Sequence, residues 1–464
     1  MLNRLSIVYS RATALARFVP IALALCLAGC AGGVGSQSHV TPPPPPPPGS
    51  VLASNFGMQC GQGDTSDCEG GDPPPIVWPT TQAQPGLLRL HDAQTYWAIL
   101  NPSNGVYDWE SLDEWLDLIA QHQPVSVIQV FTWVPCWDST QGTCGIDPTA
   151  PTGTNGYPSD LTAGGSPSFN AFVTAFTQHC SPNNNCVADL IKSYEMWNEW
   201  DLSFHWTGTM AQVYQMVKPA AAIIRANVPN AVIMTPSAST FSDTGIGYQA
   251  DFQNWLNYEN ANGVISDLVA WHLYLTSTNT STHSPEDQWS LYAQNFLNIQ
   301  SSTAGWSTKP WANTETNFDG APPPGLDYTC PSAQFTPDDC TGQIVRWQLL
   351  HASNGASSLD WYKWRQTIGL VPQYETAYYY MMRYLVGGKF SAPCSSTTSG
   401  GIDTWTCPFT ESNGTSALFV WTPTATGYTV PTGFTDYRDL AGGTTNVTAG
   451  QQITIGIEPF MLEM

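Results

Sequence analysis

Ser193-Tyr194-Glu195-Met196-Trp197-Asn198-Glu199 is a short β-rich run that closes on a carboxylate. A helical pattern follows at 211–226, then a second β-rich run at 231–236. Outward from there the alternation repeats, with strand candidates at 56–59, 87–92, 126–132, 268–274, 310–315 and 358–364. Helical periods fill the gaps at 112–122, 169–179, 248–258, 286–300 and 343–352, with a last one at 375–385. Eight strands with helical crossovers are what a (β/α)8 TIM barrel of the α/β class requires. The first crossover is weakly marked, because 60–85 reads as a Gly- and Pro-rich loop. An open doubly wound sheet has the same element order, but no Gly-rich phosphate fingerprint follows a strand.

The barrel is therefore assigned to 51–386. From Gly387 the texture changes to Thr, Gly and Val alternating with turn residues, through 417–421, 428–430 and 453–457. Residues 387–464 read as a small all-β, sandwich-like accessory domain. At the other end, Arg4, Arg11 and Arg17 precede an apolar stretch at 19–27 that is too short to span a membrane as a mature helix. Leu27-Ala28-Gly29-Cys30 resembles a bacterial lipobox. The resemblance implies a signal peptide over 1–30, lipidation of Cys30, and export to the cell envelope, with the outer membrane favoured over the inner because Ala31 follows the cysteine. Release as a secreted protein is the other outcome. Residues 31–50 form a linker whose prolines, Pro42 to Pro48, predict a stiff polyproline II spacer of about 3 Å per residue.

Only 11% of residues are charged, so Ser, Thr, Asn and Gln supply the polarity, as suits an extracellular surface. The net charge of 14 − 36 = −22 argues against nucleic acid or an anionic polymer as partner, since no basic stripe exists to release counterions. It fits a neutral ligand. Nineteen Trp and nineteen Tyr lean toward carbohydrate, whose rings stack on aromatic faces, although most will be packing. Of twelve cysteines, ten outside the leader fall into sequential neighbours: Cys60/Cys68, Cys136/Cys144, Cys180/Cys186, Cys330/Cys340 and Cys394/Cys407. Spacing does not fix connectivity, but five short-range pairs suggest local disulfides formed in an oxidising compartment. No C-x-x-C or grouped His accompanies them to suggest zinc.

Function in a barrel resides at the C-terminal ends of strands. The fourth strand closes with Trp197-Asn198-Glu199 and the seventh with Asn313-Thr314-Glu315. Two carboxyl groups facing each other across the mouth are what glycoside hydrolysis needs, one protonating the leaving oxygen and one attacking or activating water. Almost no Lys or Arg lies near either in sequence to make it a simple ion pair.

With Leu88-Arg89-Leu90-His91-Asp92, Trp97, Tyr107-Asp108-Trp109 and Trp271-His272-Leu273-Tyr274, these motifs resemble clan A barrel glycoside hydrolases, and the family 39-like branch in particular. The resemblance covers most of 54–386 and implies a retaining hydrolase of polysaccharides or oligosaccharides, with Glu199 as acid/base and Glu315 as nucleophile. It further implies substrate-binding roles. Arg89 holds Glu315 ionised, Asn198 meets the sugar 2-hydroxyl, and Tyr274 and His272 line the wall. Trp361 or Trp364 makes the stacking floor, with Trp361 preferred. As proton donor, Glu199 would need a pKa raised by the nearby carboxylate and apolar walls. Trp200 stands where family members often have Pro, and 138–166 reads as an insertion over the cleft. Trp133, Trp137, Trp200 and Trp206 serve either as further sugar platforms or as packing. Lys363 and Arg365 suggest either uronate recognition or plain solvation.

No serine-hydrolase elbow, phosphate loop or zinc helix is present, so neither cofactor nor metal is expected. The alternative from another class is a catalytically silent, surface glycan-binding lipoprotein. The intact Glu199, Glu315, Arg89 and Asn198 set favours the enzyme. Sugar, linkage, endo or exo action and oligomeric state are not legible.

Overall fold

The structure is a computed structural model that describes residues 50–59, 78, 82–141, 156–240, 247–276, 284–319, 330, 335–364, 367–369 and 371–464. The expected signal peptide, Cys30, the proline run, Cys60, Cys68, Cys144, Arg365 and most of the first crossover lie outside the described residues.

The eight expected strands are present: β1 (Phe56–Gln59), β2 (Leu87–Leu90), β3 (Ser126–Val130), β4 (Ser193–Glu195), β5 (Val232–Met234 with Ala238–Ser239), β6 (Val269–His272), β7 (Trp311–Thr316) and β8 (Leu359–Trp361). Each pairs in parallel with its successor, and β8 pairs with β1. The ring closes through β5, which is broken. Val232–Met234 pairs with β4, whereas Ala238–Ser239 pairs with β6. Pro236 lies in the gap and has no N–H to give to a ladder. The Thr235 hydroxyl substitutes, accepting from Ala270 N at 2.9 Å, while Thr235 N donates to Leu268 O at 3.0 Å.

Strand faces alternate as the pleat dictates. Leu87, Ile128, Val130, Met234, Ala270 and Ala312 form a small apolar plug inside the barrel. The opposite faces, including Leu88, Leu90, Val127, Trp271 and Trp311, join the large core shared with the helices. Most helices begin earlier than their hydrophobic pattern, because their first turns are set by caps. Ser166, Thr209 and Thr336 accept from backbone N–H groups at the starts of Pro167–Gln178, Met210–Asn227 and Pro337–Ser353. No helix among the described residues is long and apolar enough to cross a membrane.

Beyond Leu385 the chain forms antiparallel sheets, the larger of seven strands and the smaller pairing Thr426–Thr429 with Gln452–Ile455. Residues from both, Val420, Val430, Phe434, Val447, Ile455, Phe460 and Leu462, make one apolar cluster. This accessory region is welded to the barrel by a buried joint, in which Glu286 accepts from Arg346 and from Trp421 Nε1 at 2.7 Å. Pro337–Ser353 is accordingly buried on nearly all sides, and a Cβ on its Gly342 would meet Ile457 O at 2.5 Å. Ser50 and Val51 also pair with this region, through Lys389 and Gly388. Three expected disulfides are formed, Cys180–Cys186, Cys330–Cys340 and Cys394–Cys407.

Gly57 of β1 lies in register with Asp360 of β8, and a Cβ on it would fall 1.7 Å from Asp360 Oδ1. Gly57→Ala should therefore destabilise the barrel by about 1–3 kcal/mol, the usual range for overpacking. Urea denaturation measures it, and an unchanged midpoint would show that Asp360 moves aside freely.

Candidate active site

Above the apolar plug the lumen becomes polar. Arg89 on β2 is completely buried and uses its whole donor fork. Nε and Nη2 reach Glu195 on β4 at 3.0 and 2.7 Å, Nη1 reaches Gln59 and Glu315 at 2.8 Å each, and Nη2 also reaches Asn198 Oδ1 at 2.8 Å. Arg89 contacts Glu315, but its bidentate partner is Glu195. Burial works to raise the Glu195 pKa, and Arg89 more than offsets it, leaving a firm carboxylate.

Strands stop short of the residues that matter, and the backbone leaves ideal geometry at that point. Asp92, Trp133, Glu199 and Lys363 have positive φ of 56°, 59°, 42° and 57°, and they follow the ends of β2, β3, β4 and β8. Such conformations cost on the order of 1–3 kcal/mol each and concentrate at functional sites. Glu199 is thus not the last residue of its strand, as the sequence suggested, but lies four residues past Glu195. Its N–H donates to Ser237 Oγ at 3.0 Å, which fixes it against β5.

The two expected carboxylates meet. One oxygen of Glu199, one of Glu315 and a ring nitrogen of His272 all lie within 4.8 Å of one another. Glu315 accepts from Arg89 and from the Tyr274 hydroxyl. Glu199 is held on both oxygens by imidazoles, Oε1 by His272 Nδ1 at 2.8 Å and Oε2 by His205 Nε2 at 3.1 Å. Each oxygen of the two carboxylates already accepts from a neighbouring donor, which makes the trio a hydrogen-bonded acid–base group.

Electrostatics departs from expectation here. Burial raises the Glu199 pKa, but hydrogen bonds from His205 and His272 hold it well below the ordinary carboxylate range. Burial lowers that of His272, yet Glu315 first, then Glu195 and Glu199, push it up to about 10. At neutral pH the proton shared by this pair therefore rests on the imidazole. The sequence predicted a raised Glu199; the two imidazoles reverse that.

Arg89, Asn198, Glu199, His272, Tyr274 and Glu315 are all drawn into one network. Asn198 Nδ2 also stands 3.1 Å from His205 Nε2, the nitrogen already committed to Glu199, so the pair is a contact that leaves the Asn198 N–H groups unspent. Trp361 stands elsewhere, fully buried in the core shared with the helices, its ring 6.3 Å from Phe318. Trp364 packs edge-on against Tyr378. Asp360, not Trp361, takes the inward face of β8, where burial keeps its carboxyl well above the usual range despite Arg89. The aromatic of that segment which reaches the mouth is Tyr362, whose hydroxyl donates to Asp92 at 2.6 Å. Lys363 is only 7% exposed, so solvation is not its setting.

No protein-family model matches this sequence, and no curated protein is similar to it in sequence. Solved structures do share the fold. A family 44 endoglucanase from Clostridium acetobutylium superposes with a TM-score of 0.53 at 10% identity, over 89% of this chain and 97% of its own. A GH51 arabinofuranosidase from Xanthomonas axonopodis pv. citri gives 0.53 at 10%, over 90% and 97%. A glucosidase from Croceicoccus marinus gives 0.51 at 12%, over 89% and 98%. At such identities the likeness establishes the barrel with its appended β region.

Removing one partner of a buried ion pair strands the other, at about 3–5 kcal/mol. Arg89→Met should lose stability of that order, with Glu195→Gln in the same chain recovering part of it, as read by chemical denaturation. A loss under about 1 kcal/mol would mean that solvent replaces the guanidinium.

Proposed function

We propose that the chain is a retaining glycoside hydrolase that cleaves neutral polysaccharide or oligosaccharide by double displacement. The observation behind this reading is the approach of Glu199 to Glu315 within 4.8 Å. Retaining enzymes hold their carboxyl groups about 5–5.5 Å apart, whereas inverting ones leave about 6.5–9.5 Å for a water. The known activities of the endoglucanase, arabinofuranosidase and glucosidase that share the fold accord with it. An intact network around both carboxylates disfavours a silent binding protein.

Glu315, oriented by Tyr274 and ion-paired with Arg89, attacks the anomeric carbon as the glycosidic bond breaks. The leaving oxygen takes a proton from Glu199, which draws it from His272 Nδ1. The largest single contribution that holds that proton on His272 against burial is the charge of Glu315. As Glu315 forms its bond to carbon it gives up this charge, so the imidazole loosens its proton when the leaving group needs it. In the second step water attacks the glycosyl-enzyme, its proton returns to Glu199 and His272, and Glu315 is freed.

The proposal extends to the family 39-like branch and to an exported, envelope-anchored protein lipidated at Cys30. The three disulfides support an oxidising compartment.

Aryl β-glycosides test the roles. Glu315→Ala should fall to background. Glu199→Ala should lose about 10²- to 10⁴-fold on poor leaving groups and be rescued by azide, giving a glycosyl azide of retained configuration. An inverted product would overturn the assignment. His272 is cationic below about 10, so the shared proton is present up to that pH and lost above it. The alkaline limb of kcat/KM should therefore lie well above neutrality and drop by at least about one unit in His272→Gln. An unmoved limb would separate His272 from proton delivery.

A further inference from the structure

The accessory region ends in an edge that hangs on a pair of like charges. In its larger sheet the strand Asp436–Arg438 is held on one side by Phe460–Glu463, and on the other it carries the short strand Thr444–Asn446. The register sets Asp436 directly opposite Glu463. Opposed side chains of an antiparallel pair share a face, with Cβ atoms about 5 Å apart, and two anions placed there repel. Such a pair would loosen a strand this short.

Glu463 is only 6% exposed. Glu411, in the turn that follows Ile402–Thr410, reaches it as well, so that Glu411 and Asp436 both stand within hydrogen-bonding range of its carboxyl. Arg438 Nε donates to Glu463 Oε2 at 2.6 Å, while its guanidinium lies over the ring of Tyr384 on the barrel helix Pro372–Leu385. The Tyr384 hydroxyl in turn donates to the backbone oxygen of Asp439. On Ser416–Trp421 the residue opposite Glu463 is Ala417, which brings no charge. Three carboxyl groups thus share one guanidinium. Glu411 Oε1 is buried, and no donor among the described residues reaches it. Two carboxyl groups can hydrogen-bond only if one of them carries a proton, so a proton takes the place of the missing donor. Burial first, then Glu411 and Asp436, push the Glu463 carboxyl up to about 8.

We propose that this shared proton is a latch, holding the edge hairpin 433–447 on the accessory sheet in acidic and neutral surroundings and releasing it in alkaline ones while the barrel stays folded. The hairpin gives Phe434 and Val447 to the apolar cluster of this region and Leu440 to the large core, so its release bares an apolar seam. Glu463 holds its proton more tightly in the closed edge than in a released one, where the ordinary value of 4.5 applies. Stabilisation by the latch is therefore complete below about 4.5, declines as pH rises, and is gone once pH passes about 8. None of this depends on what the barrel cleaves.

Hydrogen exchange of the full chain, followed peptide by peptide at about pH 5.5 and about pH 8.5, tests the latch. After correction for the base catalysis of exchange itself, protection over 434–447 should fall at least about tenfold at the higher pH, while Ile402–Thr410 keeps its protection. In Glu463→Gln the amide donates to a carboxylate at every pH and its oxygen still accepts from Arg438, so the fall should vanish. Asp436→Asn removes the opposing charge from the other strand and should shrink the fall likewise, which decides the matter if Glu463→Gln does not fold. Equal protection of wild type at both pH values overturns the proposal, as does a fall that persists in full in the variants. A fall shared by Ile402–Thr410 would mark general loosening and overturn it too. Protection restored at the higher pH by calcium would make the trio a cation site instead of a proton latch.

Discussion

A guanidinium cut off from water must be surrounded by acceptors, and Arg89 dictates most of what fills the upper barrel. It needs Glu195 in bidentate contact, Gln59 and Asn198 as neutral acceptors and Glu315 as a second anion. These demands place residues on β1, on β4 and its end, and on β7. Glu195 then helps to keep His272 charged, and His272 in turn holds Glu199 ionised. The chemistry thus follows from one buried cation whose partners outnumber its charge. The surplus negative charge is what keeps a proton on the imidazole.

The strained strand ends are the other half of this arrangement. A side chain on a regular strand points into the lumen or out of it and nowhere between. Turning the backbone into the left-handed region after β2, β3, β4 and β8 aims Asp92, Trp133, Glu199 and Lys363 along directions that the pleat does not offer. Fixed points on neighbouring strands, such as Ser237 under Glu199, keep them there. Trp133 packs edge-on to His205, at 5.5 Å between rings, so the strain at one strand end supports the ligand of another.

Much of this is legible in the sequence, for identifiable reasons. Alternation of strand and helix gives eight barrel strands because long amphipathic helices leave little ambiguity between them. Glu199 and Glu315 are visible because they end β-rich runs with no cation nearby. Glu195 lies in the middle of its β-rich run, where a lone carboxylate carries no signal, and the backbone leaves strand geometry between it and Glu199. Trp361 illustrates the opposite. An irregular register between β7 and β8 decides which of its neighbours faces inward, and no local pattern reveals a bulge. His205 and Tyr362 lie on loops, where side-chain direction has no period at all. The Glu199 pKa could not be inferred either, as it depends on two imidazoles from distant segments.

The pairing of Ser50 and Val51 with Gly388 and Lys389 has a mechanical meaning. Val51 N donates to Gly388 O, and Gly387 N donates to Val51 O, both at 2.8 Å. The chain is thereby clamped to the accessory sheet just before it enters β1. A pull on anything upstream is borne first by that clamp, and then by the sheet that Cys394–Cys407 staples, while β1 stays unloaded. A protein anchored from its amino-terminal side could in this way be dragged, sheared or crowded against a solid substrate without distorting the strand that carries Gln59. The appended β region would then act as a strain relief, like the collar where a cable enters its plug.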